Sequence, residues 1–387
     1  MNRWTSRRAR ALPESVFLRM DRAKREARQA GRAIIDLSIG SSDLSPPPEA
    51  LAALKAAVDD PETYGYCLRS GTRPFLEAAT RWYARRFGRA LDPETQALAL
   101  IGSQEGLAHL LLAVADPGDV LLVPEVAYPS YWGAAALAGL EVWPIPLRAD
   151  YLADLEAVPG EVARRARVLL LNYPNNPTAA LADRAYWEAA LEFAARYDLL
   201  LVHDNPYVDL VFEGEALSPL TLDGALERTV ELFSFSKSYH LAGFRLGFAL
   251  GNREALAALE AVKAPIDFNQ YLGIQRMGIA ALELPEARVR RDVEVFRARR
   301  DALVEALAAA GWTVPRPRAG MYLWARLPHT EDDLGFCVEL VRQTGVALAP
   351  GRAFGPGGRG HVRFALVQPP EVLREAAARV AAAVVGG

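Results

Sequence analysis

Cysteine is nearly absent: Cys67 and Cys337 are the only two in a chain of 387 residues. A pair so far apart in sequence builds neither a disulfide framework nor a metal site, so both are expected to be free thiols. Histidine is scarce too. None of the five, His109, His203, His240, His329 and His361, is read as falling at a metal-ligand spacing with acidic partners, and His203 reads as a strand-end residue. An excess of one charge is also missing: the formal net charge is -3, which gives no field suited to nucleic acid. The one basic stretch, Arg7-Arg8-Ala9-Arg10, reads as a solvated terminal arm. No apolar run approaches the ~20 residues of a membrane span, and none follows the N-terminal arginines as a secretory signal requires. A cytoplasmic protein with no nucleic-acid or membrane partner is expected.

What the chain does have is apolar substance in a regular order. Hydrophobic residues make up 51% of it, enough for a large core, and the length favours two domains. Leucine- and valine-rich runs at 98–101, 120–123, 168–171, 199–203, 230–233 and 246–250 alternate with alanine-rich helical segments at 105–113, 183–197 and 253–262. That alternation predicts an α/β fold with a parallel sheet, the helices supplying the crossovers. A helical stretch over 275–308, strand-like runs at 322–325, 346–347 and 362–366, and a last helix from Pro370 predict a smaller α+β domain. Pro46-Pro47-Pro48 marks entry into the larger one. The expected division is 1–45 as an N-terminal segment joining the small domain, 46–274 as the large domain and 275–387 as the small one.

In open parallel sheets ligands bind beyond the carboxyl ends of the strands, so polar residues directly after each predicted strand carry extra weight. Asn172-Tyr173-Pro174-Asn175-Asn176-Pro177-Thr178 follows one run and Asp204-Asn205-Pro206-Tyr207 another. Ser234-Phe235-Ser236-Lys237-Ser238 follows a third, with Gly243-Phe244-Arg245-Leu246-Gly247 close behind. An amine attacks an aldehyde only when unprotonated, so a lysine meant for a Schiff base needs an apolar wall or a nearby cation. Leu232, Phe233, Phe235 and Leu241 offer the wall, and Arg245 the cation. The hydroxyls of Ser234 and Ser236 and the fork of Arg245 suit a phosphate monoester, which makes Lys237 a lysine suited to pyridoxal phosphate. A pyridinium ring needs a carboxylate to hold its nitrogen proton, for which Asp204 is the candidate; Tyr207 and Asn176 are candidate donors to its phenolic oxygen. Between a strand and a helix, Ser103 and Gln104 offer further phosphate contacts; Ser103 as an N-cap is a rival reading that does not exclude this one. Tyr128 suits stacking on an aromatic cofactor, or plain packing beside its prolines. Taken singly, these residues also read as turns or strand edges.

Together and in this order, the motifs resemble those of the class I/II aminotransferases, pyridoxal-phosphate enzymes of fold type I. The resemblance runs from about Ile34 to Gln368. It rests on Leu37-Ser38-Ile39-Gly40-Ser41-Ser42-Asp43, on 66–71, 102–107, 172–178, 204–207 and 234–247, and on His361-Val362-Arg363-Phe364. It implies a large domain with a mostly parallel seven-stranded sheet between helices, plus a smaller α+β domain. It implies that Lys237 carries the Schiff base, Asp204 faces the pyridinium nitrogen, Tyr207 and Asn176 donate to the phenolate, and Tyr128 stacks on the ring. Ser103, Gln104, Ser234, Ser236 and Arg245 would hold the phosphate. Arg363 would take the substrate α-carboxylate, with Asn176 and Gly40 also bordering the substrate and Gly40 closing over it. Tyr66 would reach the phosphate of a neighbouring subunit, which implies a homodimer with shared sites. The implied reaction moves an amino group between an amino acid and a 2-oxo acid in ping-pong fashion, with Lys237 moving the α-proton. Segments 35–44 and 171–177 resemble diaminopimelate-type aminotransferases of amino-acid biosynthesis, although the scaffold accepts other amino acids.

Two departures from the family pattern stand out. Ala179 occupies a position usually held by glycine, which puts a positive φ there in doubt and predicts a small local adjustment. Cys67 and Arg69 stand where small or apolar residues are usual, and a solvated Arg69 is favoured over one meeting a distal substrate carboxylate. Gly355-Pro356-Gly357-Gly358-Arg359-Gly360 satisfies G-x-G-x-x-G, but a strand follows where a helix is required, so it reads as a mobile loop beside Arg363 and not as a dinucleotide site. Two other functions draw on the same residues. One is a pyridoxal-phosphate β-lyase, which needs no oxo-acid acceptor; the other is a ligand-sensing domain of a regulator, for which the segment before Leu37 is too short to hold a winged helix.

Overall fold

The predicted runs at 98–101, 120–123, 168–171, 199–203, 230–233 and 246–250 are all strands, to within two residues at either end, in the computed structural model, which describes residues 4–12 and 16–385. The ends of the expected segments 1–45 and 275–387 lie outside those residues. The main sheet runs in the order Ala97–Leu100, Gly247–Gly251, Thr229–Ser234, Leu200–Asp204, Ala166–Leu171, Val120–Pro124, Glu141–Ile145. Gly247–Gly251 is antiparallel to both of its neighbours, and the other pairings are parallel. The central strands are buried along nearly their whole length, as their continuous apolar composition requires. Glu141–Ile145 has no counterpart among the predicted runs. It is an edge strand whose residues alternate in exposure, and its unpaired side tolerates Pro144.

Helices Ser103–Val114, Arg184–Arg196 and Arg253–Lys263 match the expected crossovers. Two are capped by side chains: Asp183 accepts from the backbone N–H of Tyr186 and Asn252 from that of Ala255. The stretch over 275–308 is two helices, Leu272–Leu282 and Glu286–Ala309, separated at Pro285, which disfavours helical geometry in the residue before it. The first of them packs against Pro48–Val58 and Arg69–Phe87. Beyond it, Tyr322–Arg326, His361–Ala365 and Ala349–Pro350 form a three-stranded antiparallel sheet. Ile35–Asp36 pairs in parallel with Val346–Ala347. One apolar cluster joins Met20, Ala23 and Leu37 to Phe296, Leu303, Val341 and Phe364, so the N-terminal segment shares a core with the C-terminal part. Among the described residues no helix is long and apolar enough to cross a membrane.

Three readings need correction. Arg69 is only partly solvated, at 31% exposure: it donates to the carbonyls of Glu94 and Ala97 and lies 3.4 Å from Glu260, which ties the start of its helix to a strand entry. His109 and Glu105 do share a helix face, 2.5 Å apart, with Asp267 nearby. There the Lys263 ammonium, 2.9 Å from Glu105 and 3.1 Å from Asp267, supplies the positive charge. Residues 355–360 are tethered at two points, the Gly357 N–H donating to the Glu125 carbonyl and the Leu327 N–H to that of Gly360. Cys67 and Cys337 are free thiols, and burial raises the pKa of both.

Beneath the strand ends lies a hydrogen-bonded polar pair with no exposure at all, His203 and Glu231. His203 Nδ1 is 2.9 Å from Glu231 Oε1, and its Nε2 is 2.9 Å from the Tyr173 carbonyl oxygen. Asn205 donates to the same Glu231 oxygen at 2.8 Å, and the Ser218 hydroxyl donates to the other. The ends of three adjacent strands are thereby bound together. Removing one member of such a pair leaves a buried polar group unpartnered, so Glu231→Leu is expected to lower the unfolding free energy by about 3–5 kcal/mol, measured by chemical denaturation. Ala179, in contrast, keeps φ at +60°, a conformation that costs an L-residue about 1 kcal/mol. Ala179→Gly is therefore expected to raise the unfolding free energy by about 0.5–1 kcal/mol in the same assay.

Candidate active site

The carboxyl ends of Ala166–Leu171, Leu200–Asp204 and Thr229–Ser234 open into a cavity of about 940 Å³. Its walls bring together Gly40, Ser103, Gln104, Tyr128, Asn176, Asp204, Tyr207, Ser234, Ser236, Lys237, Arg245 and Arg363. Tyr66 is not among them. It is 83% exposed, with its ring 5.1 Å from that of Phe268.

Asp204 is buried at the end of its strand, one wall of the cavity. Its Oδ2 accepts from the Tyr131 hydroxyl at 2.7 Å, and its Oδ1 is buried with no partner. Burial pushes its pKa up to about 6, against the opposing pull of the Tyr131 hydroxyl, the charge of His203, the nearby Ser103 hydroxyl and the charge of Lys237; none of these donates a hydrogen bond to Oδ1. A buried acceptor with no donor calls for an explanation. A protonated ring nitrogen supplies one, so the residues present fit a pyridinium cofactor.

Lys237 lies in the short helix Phe235–Ser238, capped by Ser234, whose hydroxyl accepts from the Ser236 N–H at 3.2 Å. Its Nζ donates to the Gly40 carbonyl at 2.5 Å and stands 5.9 Å from the centre of the Tyr207 ring. The expected apolar wall is elsewhere: Phe233, Phe235 and Leu241 pack into the core with Phe75, Trp82 and Phe248, and Leu232 packs with Leu98 and Val230 in another cluster. Tyrosines take its place. The Tyr207 hydroxyl is 3.0 Å from that of Tyr322, and a Cβ at Gly40 would collide with Tyr322, so only glycine lets this segment approach. Burial pushes the Tyr207 phenol well above its ordinary pKa. For Tyr322 burial acts the same way but is outweighed by the charges of Lys237 and Arg363, which bring it below.

Arg363 is 4% exposed and lies over the rings of Tyr322 and Phe354 at 4.1 and 4.8 Å. It donates to the Ser38 carbonyl at 2.7 Å and to Asn176 Oδ1 at 2.9 Å, and its Nε is buried with no partner. Asn172 links two of the strand ends, donating to the Asp204 carbonyl at 2.7 Å and accepting from the Asn176 N–H at 2.9 Å. Tyr131, Tyr322 and Asn172 have no assigned role in the sequence patterns above. Tyr131 is visible there only as a neighbour of Tyr128, and nothing flanking Tyr322 marks it.

At the other end of the cavity, Gly102 with φ +83° precedes helix Ser103–Val114. Ser103 is the first helical residue and not the cap, so its N–H and hydroxyl are free of that duty. A Cβ at Gly247 would lie 2.6 Å from the Phe233 carbonyl and 3.0 Å from the Ser103 nitrogen, so the backbones meet there as closely as glycine permits. Arg245 donates to the Ala242 carbonyl at 2.9 Å, and the Tyr128 hydroxyl donates to Gln104 at 3.0 Å. A helix N-terminus, a guanidinium and three serines make a donor set suited to a phosphate dianion.

A sequence model described as aminotransferase class I and II matches residues 32–380. The LL-diaminopimelate aminotransferase of Syntrophobacter fumaroxidans is 42% identical over 376 residues, 96% of this chain and 97% of that protein. Among solved structures, a probable N-succinyldiaminopimelate aminotransferase from Thermus thermophilus is 63% identical with a TM-score of 0.93, over 95% of this chain and all of that one. The aspartate aminotransferase of Thermus thermophilus with maleate is 29% identical with a TM-score of 0.90, over 98% of this chain and all of that one. The ligand-sensing and lyase readings of these residues therefore give way to amino transfer. The chain belongs to the aminotransferase class I and II family, the pyridoxal-phosphate-dependent transaminases of fold type I.

Proposed function

We propose that this transaminase moves an amino group between a diaminopimelate-type amino acid and a 2-oxo acid, in cytoplasmic amino-acid biosynthesis, with Lys237 as the proton-moving base and Asp204 as the fixed counter-charge. The reading is carried by the unpartnered Oδ1 of Asp204, buried in the cavity that also holds Lys237, Arg245 and Arg363. The substrate class comes from relatives named for LL-diaminopimelate and N-succinyldiaminopimelate.

Pyridoxal phosphate, when bound, supplies an electron sink for the pair left at the substrate α-carbon. The chain's own residues do the rest. Asp204 Oδ1 would hold the proton on the ring nitrogen, while Tyr131 fixes its other oxygen. Ser103, Gln104, Ser234, Ser236 and Arg245 would hold the phosphate, Tyr128 would cover the ring face, and Tyr207 and Asn176 would orient the phenolic oxygen. Arg363, with its unpartnered Nε, receives the α-carboxylate. Lys237 Nζ, once neutral, would take the proton from the substrate α-carbon as a base and, as the conjugate acid, hand it on to the cofactor carbon. Gly40 covers the substrate, and segments 1–45 and 275–387 close as a unit on 46–274, excluding water. Tyr66 packs its ring against Phe268, and both are exposed, as are Tyr64, Leu68 and Ile266; this exposed apolar surface meets a second copy in a homodimer, where Tyr66 reaches the partner's phosphate.

Lys237→Ala is expected to abolish transamination, followed with diaminopimelate as donor, together with the visible absorbance of enzyme-linked cofactor; amino transfer that persists would refute the assignment. Asp204 gives a second expectation. Its carboxyl goes from an ordinary 3.8 to about 6 in the fold, so the cofactor-free protein holds a proton there that the unfolded chain releases. That contribution to stability is complete at low pH and is lost as pH rises through about 6. At about 1.4 kcal/mol per pH unit the loss is about 3 kcal/mol. Denaturation of the cofactor-free wild type between pH 4 and pH 7 should show it, and Asp204→Asn should remove it.

A further inference from the structure

Six cations line the cavity: Lys24, Lys237, Arg245, Arg352, Arg359 and Arg363. Five have work or partners. Lys24 is 2.8 Å from Asp21 and 3.1 Å from Asp36. Arg352 is 2.8 Å from Asp332 and 2.6 Å from Asp333. On the reading above, Lys237 faces the reacting centre, Arg245 the phosphate and Arg363 the α-carboxylate. The guanidinium of Arg359 alone has no hydrogen-bond or ion-pair partner among the described residues.

Arg359 is exposed, but its backbone is not free to wander. It belongs to the glycine-rich segment 355–360, which the function described so far leaves unused. Gly355, at φ +117°, lies so close to the Glu125 carbonyl and the Trp132 ring that a Cβ would meet both. Gly360, at φ +71°, lies equally close to the Glu331 carboxylate, and its carbonyl accepts from the Leu327 N–H at 2.7 Å. The string of glycines thus holds the segment flat against its neighbours and presents one arginine to the cavity. Phe17, Trp132, Ala353 and Pro356 line the same cavity and offer an apolar surface to a methylene chain.

We propose that Arg359 receives the distal carboxylate of the amino-acid substrate, so that the site selects donors bearing a carboxylate at each end of a carbon chain. This rests on the transaminase reading above and deepens it by assigning the residue that recognises the far end. A guanidinium pairs with a carboxylate through two parallel hydrogen bonds, a geometry lysine and glutamine do not reproduce. An ion pair at a cavity mouth is worth less than a buried one, and a preference of roughly tenfold is the expected scale.

The test compares binding of pimelate and heptanoate to the holoenzyme by calorimetry. Both bring one carboxylate to Arg363, and only pimelate brings a second. The wild type should prefer pimelate by roughly tenfold, Arg359→Gln should bring the ratio toward one, and Arg359→Lys should retain part of it. In steady-state kinetics the Arg359→Gln enzyme should lose efficiency with diaminopimelate relative to alanine, and the loss should fall on KM. A pimelate preference undiminished in Arg359→Gln, or absent from the wild type, overturns the assignment. Failure of the transaminase reading looks different: no amino transfer from any donor, with the binding comparison still deciding the role of Arg359.

Discussion

A single carboxylate, buried and half satisfied, organises this molecule. Asp204 stands at the carboxyl end of a central strand with one oxygen held by Tyr131 and the other left without a donor. Removing charge from water is costly, and a fold keeps such a group only where a partner offsets that cost. Around it the chain has arranged little slack. The pair His203 and Glu231 lies on the neighbouring positions of the same two strands, and Asn172 bonds the Asp204 backbone to the next strand end. The sheet end is tied together because most of its polar groups are spent on one another, and Asp204 Oδ1, left over, faces the cavity.

The leftovers divide that cavity electrostatically. One end has the start of a helix, Arg245 and serine hydroxyls; the other has Arg363 between two aromatic rings. Between them Lys237 and the Tyr207–Tyr322 hydroxyl pair are the groups able to move protons. On the proposed function this places anions at both ends of a ligand and proton chemistry in the middle. Such a division gives orientation before it gives rate, because a molecule reversed in the site would set its charges against the wrong walls.

Much of this was legible in the sequence because strand ends announce themselves. Lys237, Asp204 and Asn176 each follow closely on a run of apolar residues, and the alternation of runs with alanine-rich segments pointed to both the sheet and its crossovers. What was not legible depends on distance between segments. Tyr322 opens a strand with no flanking motif, and its meeting with Tyr207 exists only once two sheets are packed. Tyr131 sits on a short helix so uniformly apolar that no periodicity reveals its buried side. The apolar wall assigned to Lys237 came from residues adjacent in sequence, but side chains that alternate along a strand point away from one another, and those phenylalanines serve the core. The strand Glu141–Ile145 escaped because an edge strand with a proline lacks the continuous apolar character of its buried neighbours.

The parallel pairing of Ile35–Asp36 with Val346–Ala347 also bears on how the protein comes into being. On a ribosome, the early segment that carries Gly40 emerges long before the strand it must lie beside. Local helices and the central sheet can assemble in the meantime, whereas closure of so long a loop comes late and slowly. The segment that carries Gly40 can therefore take its place beside Val346–Ala347 only once that later strand has been made, after the residues of the central sheet.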